Sequence, residues 1–557
     1  MMDDNCDGST ATMMNVNVVD RYDVLIEFAH RHLDFQRAEL ESVFSIYGYH
    51  IGTNKNDSYC CLQKSLPSSS KHRPFMILSV PSTCQLMEGE VIESVFGVST
   101  SQNKKKNTSL VTILSQCTLI RSVIELWSYG PTFEECVKSC HDLYKNEKFQ
   151  KRSCYTTKAS WKLTIHTLGS KVTREEQNEM RNQFAFLNFP GPVQMTNPTN
   201  EFIIIQEIPL TYKGSPIHQT KKEEEQILSL YFGRILGGQR DWRKFRLEQY
   251  TLKKRLYLGP TSMDAELSFI MSNLAGVTKG SFCFDPFVGT GSILLSCALR
   301  GAYCFGTDID IRILRGDNKA TSLKSNFDQY NLPRPDLVRS DNAIYTRHYR
   351  HSKPLYDAIV TDPPYGIRAG ARKCGSKLDD PRPVPEEHRH DHIAQTKPYC
   401  VSDVMADLLD VAAKSLVLGG KLVYIIPSMA SNFDPTNDLP QHECLQIKYL
   451  CYQPLQKELG RRVVCMEKIK DYEDNRKHIY LQNIWKNGPQ SAEKVANLRQ
   501  QLLEAAKQLP GYEQKAAFRK QKRKATRDAK KKAKREQQQQ QQQHPTTNEV
   551  VMETSNK

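Results

Sequence analysis

Asp285-Pro286-Phe287-Val288-Gly289-Thr290-Gly291-Ser292 ends the apolar run that starts at Ser281 and opens a second one from Ile293 to Arg300. This reads as strand, glycine-rich turn and helix. In a parallel sheet, ligands bind outside the carboxyl ends of the strands, where such turns sit. Gly289 and Gly291 let the backbone turn tightly and approach a ligand, and the helix start offers free N–H groups. A lone G-x-G is equally compatible with an ordinary structural turn. The surrounding periodicity settles the fold class. From Pro260 onward strands alternate with helices, the pattern of a parallel α/β sheet. A helix is expected over 264–274, strands over 281–285 and 302–307, a helix over 312–327, and strands over 336–339 and 356–361. A helix over 404–416 and a strand over 421–426 follow, then a terminal hairpin from 444–452 and 462–468.

The strand ends carry the chemistry. The second strand closes on Gly306-Thr307-Asp308-Ile309-Asp310, about twenty residues after the first turn, where an acid can accept hydrogen bonds from both ribose hydroxyls. Asp308 is assigned that role, and Asp310 the capping of the next helix. Ser340-Asp341-Asn342 follow the third strand, with Asp341 and Asn342 placed to reach an adenine amino group. These groups describe a nucleoside pocket. The fourth turn says what it is for. The strand Tyr356 to Thr361 runs straight into Asp362-Pro363-Pro364-Tyr365-Gly366. Consecutive prolines remove two backbone donors and impose a rigid extended turn, a poor choice for structure alone. They suit an exocyclic amine as nucleophile, whose lone pair is conjugated with its ring. The Asp362 carboxylate and the Pro363 carbonyl can each accept one N–H bond and stabilise the charge that develops on the nitrogen. Pro364 stiffens the turn, and Tyr365 offers a flat face for stacking the base. The matching electrophile is the sulfonium methyl of S-adenosylmethionine, transferred in line without a metal or a covalent enzyme intermediate.

The chain has 557 residues and 39% hydrophobic content, enough for several folded units and too apolar for a disordered chain. Residues 1–19 read as a polar, disordered lead. An α+β unit begins with a strand at Tyr22 to Phe28 and a helix carrying Leu33, Phe35, Ala38, Leu40, Val43 and Phe44, which Asp34 is placed to cap. With further strands at 75–80, 123–127 and 202–205 it forms an N-terminal region over 20–215, followed by a charged linker over 216–258. Beyond 485 comes a helical, basic and glutamine-rich tail. The formal charge of +15 points to an anionic partner, yet it is concentrated: Lys515 to Arg535 hold twelve basic residues and one acid. The sixteen cysteines are scattered without a C-x-x-C pair, so reduced structural thiols are expected and no metal is assigned. The opening residues carry no secretory signal and no run reaches membrane-spanning length, so a cytoplasmic protein without a membrane partner is expected.

D-P-F-V-G-T-G followed by D-P-P-Y resembles the class I, Rossmann-like amino-group methyltransferases. Gly259-Pro260-Thr261-Ser262-Met263-Asp264 matches the element that this family places against the methionine end of the cofactor, so the resemblance adds Thr261, Ser262 and Phe287 to the expected cofactor site. It implies a mostly parallel seven-stranded sheet over 259–485. The N-terminal region, with Ile124-Glu125-Leu126-Trp127 and Tyr129-Gly130 ahead of a Thr132-Phe133-Glu134-Glu135 helix start, resembles a ferredoxin-like unit with a THUMP RNA-binding domain. The combination, together with Gly366-Ile367-Arg368-Ala369-Gly370 after the catalytic turn, is similar to the eukaryotic tRNA guanosine-10 N2-methyltransferase catalytic subunits. That likeness implies tRNA as substrate, the target guanine turned out into the pocket, and a heterodimer with a small zinc-binding activator subunit.

D-P-P-Y alone does not separate this amine from adenine N6 or from guanine N2 in ribosomal RNA, and a non-catalytic RNA-binding scaffold is a further alternative. The loop after the catalytic turn carries Arg368, Arg372 and Lys373, which are expected to contact phosphates. His388, His390 and His392 alternate in the same loop, where no cysteine or carboxylate is expected to complete a metal site of ordinary geometry with them. The basic tail lies outside the resemblance and reads as an accessory, sequence-independent RNA grip. Deleting the residues after about 510 is expected to weaken RNA binding at low salt while leaving methyl transfer intact, and loss of all activity in the truncated enzyme would contradict that division.

Overall fold

The computed structural model describes residues 21–67, 73–82, 84–86, 108–147, 149–150, 158–168, 172–210, 227–238, 247–259, 262–316, 321–347, 353–364, 371–376, 384–389, 395–430, 433–455 and 459–486, together with 514 and 521. Residues 1–495 and 496–557 form separate units. The expected lead and almost all of the tail lie outside the described residues.

β-branched and aromatic runs in the N-terminal half build one eight-stranded sheet. Its strands are β1 (Arg21–Phe28), β2 (His50–Gly52), β3 (Cys60–Lys64), β4 (Phe75–Pro81), β5 (Ile120–Gly130), β6 (Trp161–Leu168), β7 (Asn200–Glu207) and β8 (Ser229–Gly237), in the order β2-β3-β4-β1-β5-β8-β7-β6. β8 corrects the expected linker over 216–258. Charged flanks such as Lys221-Lys222-Glu223 suggested a bridge, but Leu230, Tyr231 and Phe232 are buried in a strand that pairs with both β5 and β7. Gly233 permits this, because a Cβ there would sit 2.2 Å from the Glu125 carbonyl oxygen. The helix Phe133–Tyr144 packs Cys136 and Cys140 into the core beside Trp127, Phe202 and Phe232. Those two thiols serve packing.

The second sheet comprises β9 (Phe282–Asp285), β10 (Tyr303–Asp308), β11 (Asp336–Arg339), β12 (Tyr356–Thr361), β15 (Leu416–Met429), β16 (Leu445–Pro454) and β17 (Leu459–Lys468), in the order β11-β10-β9-β12-β15-β17-β16. A short pair, β13 (Arg372–Cys374) and β14 (Thr396–Pro398), stands apart. The first five strands of the seven-stranded sheet are parallel, β17 runs antiparallel to them, and β16, antiparallel to β17, runs in their direction again. The helices Ala265–Leu274 and Ser292–Leu299 cover one face and Val401–Ser415 the other. The helix expected over 312–327 is two helices, Ile311–Arg315 and Leu323–Asp328. Gly316 ends the first at φ +81°, and a Cβ there would collide with the Thr321 carbonyl oxygen.

The two sheets share a buried seam. The helix Phe35–Ile46 packs on the helix Ala265–Leu274 within one continuous apolar core. At its centre the fully buried Glu39 carboxylate accepts the Thr118 N–H at 2.7 Å, the Leu119 N–H at 3.0 Å and the Asn273 amide at 2.6 Å. Burial pushes the Glu39 carboxyl above its usual range, and these donors partly offset it. Asp34 makes no side-chain cap for the helix it precedes. Its carboxylate instead accepts the Tyr452 N–H across the seam at 3.2 Å. Replacing Asn273 by alanine removes one donor from a buried carboxylate, and chemical denaturation should show a loss of about 2 kcal/mol. An unchanged midpoint would mean the seam is held by apolar contact alone.

Candidate active site

The carboxyl ends of β9, β10, β11 and β12 converge on a cleft of about 300 Å³. It is lined by Ser262, Asp285, Phe287, Gly289, Asp308, Asp341, Asn342, Asp362, Pro363 and Pro364, among others. Four turns separated by up to about eighty residues of chain therefore meet because parallel strands put all their C-termini at one edge.

Asp285 is buried at the end of β9, where its Oδ1 accepts the Thr361 hydroxyl at 2.6 Å and the Phe287 N–H at 3.0 Å. The first bond ties the glycine-rich turn to the strand that ends in the proline turn. Burial pushes the Asp285 carboxyl up to about 7, the two hydrogen bonds oppose this, and the charges of Asp308 and Asp362 add to it. Asp308 accepts the Gly289 N–H at 3.0 Å and the Asp310 N–H at 2.9 Å. It therefore braces the glycine turn as well as facing the cleft. Its carboxyl is also raised, chiefly by burial. Asp310 caps the helix Ile311–Arg315 by accepting the Arg312 N–H at 3.0 Å, as expected from its position.

Asp341 is buried and accepts the Ala343 N–H at 2.9 Å and the Cys374 N–H at 2.6 Å, joining the end of β11 to β13. Beside it, the buried Asn342 Nδ2 has no hydrogen-bond acceptor among the described residues. A buried amide donor facing a cleft costs free energy until a ligand atom accepts it, so the geometry fits a ligand with an acceptor at this point. Ser262 is tethered to the glycine turn through Thr290, with 2.8 Å between hydroxyls.

Gly289 and Gly291 have separate duties. Gly289, at φ +51°, faces the cleft with open space where a Cβ would be. Gly291 is not on the cleft wall. At φ +77° it starts the helix Ser292–Leu299, and a Cβ there would press to 2.7 Å from Leu323 Cγ, so its demand is for close packing behind the turn. Among the expected phosphate-binding residues, Arg372 reaches the cleft but its guanidinium donates to the Thr396 carbonyl oxygen at 2.6 Å. Lys373 pairs with Asp403 at 3.3 Å and stacks over the Tyr399 ring. Arg372 is thus committed to β14, and Lys373 to the helix Val401–Ser415 and to Tyr399 ahead of it in the cleft wall. Thr261, Tyr365 and Arg368 lie outside the described residues, as do His390 and His392.

Sequence reasoning missed Thr361 and Tyr399. Thr361 is legible in hindsight as the only hydroxyl at the end of β12. Tyr399 carries no local signal: it returns to the cleft after a long excursion and donates its hydroxyl to Asp407.

Two family models match: the Tmrp11 THUMP N-terminal domain over residues 92–240 and the RMKL-like methyltransferase domain over residues 253–380. Curated relatives align over most of the length. A protein of Dictyostelium discoideum named tRNA (guanine(10)-N(2))-methyltransferase TRMT11 is 36% identical over 467 residues, covering 81% of this chain and 83% of its own. Proteins of the same name from Mus musculus and Homo sapiens are 34% and 33% identical, each covering 83% of this chain and 91% of their own. The chain belongs to the TRMT11 family. The methyltransferase model spans the glycine turn, Asp308, Asp341 and the proline turn, so the cleft is the centre of the family's methyltransferase domain. The THUMP model runs to residue 240 and takes in β8, as the eight-stranded sheet does.

The raised Asp285 carboxyl sets a pH test. Its folded value near 7 lies above the unfolded value near 3.9. Between about pH 4 and 7 the folded state keeps a proton that the unfolded state gives up, so this residue's contribution to stability falls as pH rises through that window. Thermal melts of the ligand-free protein should therefore show a smaller decline from pH 5 to 8 for Asp285→Asn than for the wild type. Identical slopes would place the titration elsewhere.

Proposed function

We infer that the protein transfers a methyl group from S-adenosylmethionine to the exocyclic N2 of guanosine 10 in tRNA. Membership in the TRMT11 family carries this reading, because relatives matching over four fifths of the chain are named for that nucleotide and that nitrogen. The alternatives of adenine N6 and ribosomal guanine N2 have no such support. A non-catalytic scaffold is disfavoured by the intact set of Asp285, Asp308 and Asp362 around one cleft.

The residues present fit the cofactor. The unpaired Asn342 amide and the Asp341 carboxylate together offer a donor and an acceptor, the pair an adenine edge requires. Asp308 is the acid for the ribose hydroxyls, and Gly289 leaves open space against the nucleoside. Ser262 would hold the methionine end, together with Thr261 by family resemblance. When bound, S-adenosylmethionine supplies an electrophilic methyl on a sulfonium cation. Asp362 and the Pro363 carbonyl accept the two N–H bonds of the guanine amine, which fixes the nitrogen and stabilises positive charge as it develops. The nitrogen releases one proton as it gains the methyl, and the Asp362 carboxylate lines the cleft to accept it. Tyr365 completes the reading as the stacking surface for the base.

The reading includes a small zinc-binding activator subunit, by family resemblance. An accessible sheet edge supports it. β11 ends the seven-stranded sheet; its Val338 is 56% exposed and Tyr303, at the start of β10, 58%, with Tyr303 stacked on the partly exposed Phe282 of β9 at 5.6 Å. An apolar edge of this kind is a liability unless another chain covers it. Among the described residues no helix is long and apolar enough to cross a membrane, in keeping with a cytoplasmic enzyme.

Single-turnover assays on tRNA, with and without the activator subunit, test the catalytic assignment. Asp362→Ala should slow methyl transfer by roughly 10²–10³-fold while S-adenosylmethionine binding persists. Methyl transfer at the wild-type rate with only RNA affinity reduced would remove Asp362 from the chemistry.

A further inference from the structure

Arg462 stands in β17, separated from the proline turn by β15. In register, Thr361 of β12 faces Tyr424 of β15, and Ile426, two residues further along, faces Arg462. Arg462 is therefore level with the turn that begins at Asp362 and two strand spacings across from it, roughly 10 Å. On its other side lies the N-terminal region. Tyr452, the cross-strand partner of Arg462, gives its N–H to Asp34, and Gln453 meets His32 at 3.3 Å. Arg462 thus occupies the strip between the cleft and the N-terminal region, whose eight-stranded sheet contains the strands matched by the THUMP model.

Its side chain is held in one plane. The guanidinium carbon lies 3.8 Å from the Phe433 ring centroid and 4.7 Å from that of Tyr452, and Nε donates to the Ser428 hydroxyl at 3.0 Å. Gly460 makes room for this arrangement, since a Cβ there would sit 2.4 Å from the Tyr452 ring. Among the described residues no carboxylate forms an ion pair with Arg462, and its terminal nitrogens have no acceptor. Burial pushes the guanidinium below the usual arginine range, against the raising influence of Tyr452 and Asp34. A half-buried cation fixed between two rings, with its fork of donors unused, is preorganised for an anion that offers two oxygens side by side. Phosphate is the anion that suits such a fork and that an RNA strand supplies at every nucleotide.

We propose that Arg462 grips a backbone phosphate of the RNA strand carrying the target guanosine, holding that strand as it passes from the N-terminal region to the cleft. It is a positioning residue and does not touch the reacting atoms. The inference rests on the tRNA reading above.

The test compares full-length wild type, Arg462→Ala and Arg462→Gln for tRNA binding between about 50 and 200 mM salt, alongside melting temperature and methyl transfer at saturating tRNA. Both variants should bind tRNA about tenfold more weakly, with the slope of log affinity against log salt reduced by about 0.9. The rate at saturating tRNA and the affinity for S-adenosylmethionine should change by less than about twofold. If the alanine variant does not fold, the glutamine variant decides, because it keeps a planar group between the rings. A folded variant with unchanged tRNA affinity and salt slope overturns the proposal. So does a loss confined to melting temperature, or to retention of the activator subunit, which would make Arg462 a structural or a protein-contacting residue. Failure of the wild type itself to methylate tRNA would count against the substrate reading instead.

Discussion

Three carboxylates, Asp285, Asp308 and Asp362, face one partly desolvated cleft, and the cost of burying carboxylate charge there is the constraint that the surrounding structure answers. Burial would neutralise them, so each remaining charge needs donors. The Thr361 hydroxyl and Phe287 N–H serve Asp285, and the Gly289 and Asp310 N–H groups serve Asp308. These bonds do more than satisfy charge. They lock the glycine turn to β10 and β9 to the strand that ends in the proline turn, so the electrostatic problem and the alignment of the site have one solution. A cleft of this sign favours a cationic ligand, which S-adenosylmethionine is. It also repels phosphate, so the tRNA backbone must be held by other surfaces and only the base admitted.

The seam between the two sheets matters for that division. Glu39, Asn273 and the shared apolar core fix the N-terminal region on the catalytic sheet. In the proposed reading, RNA on that region meets the cleft at a set distance, a geometric basis for choosing one guanosine among many. Asp34 links the same seam to Tyr452, and Tyr452 to Arg462, so the strip crossed by the RNA is built from both parts.

The catalytic half was legible because its signals are local. The glycine turn and D-P-P-Y carry backbone demands that survive without any knowledge of packing, and the alternation of strands and helices orders them at one sheet edge. What the sequence concealed depends on contacts distant in the chain. β8 was hidden between charged flanks and declares itself only by pairing with β5 and β7. Asp34 reads as a helix cap and bonds instead to a strand more than four hundred residues away. Gly291 looks like a ligand-facing glycine, yet what it accommodates is Leu323. Arg372 and Lys373 read as free cations until Thr396 and Asp403, contributed by later segments, are brought against them.

The methylated nucleotide is tested most directly by the nucleoside content of tRNA from cells with and without this protein, read by mass spectrometry of the fragment containing position 10. N2-methylguanosine at that position is expected to disappear when the protein is absent and to return with the wild-type chain. Unchanged N2-methylguanosine at position 10 in cells lacking the protein would contradict this assignment.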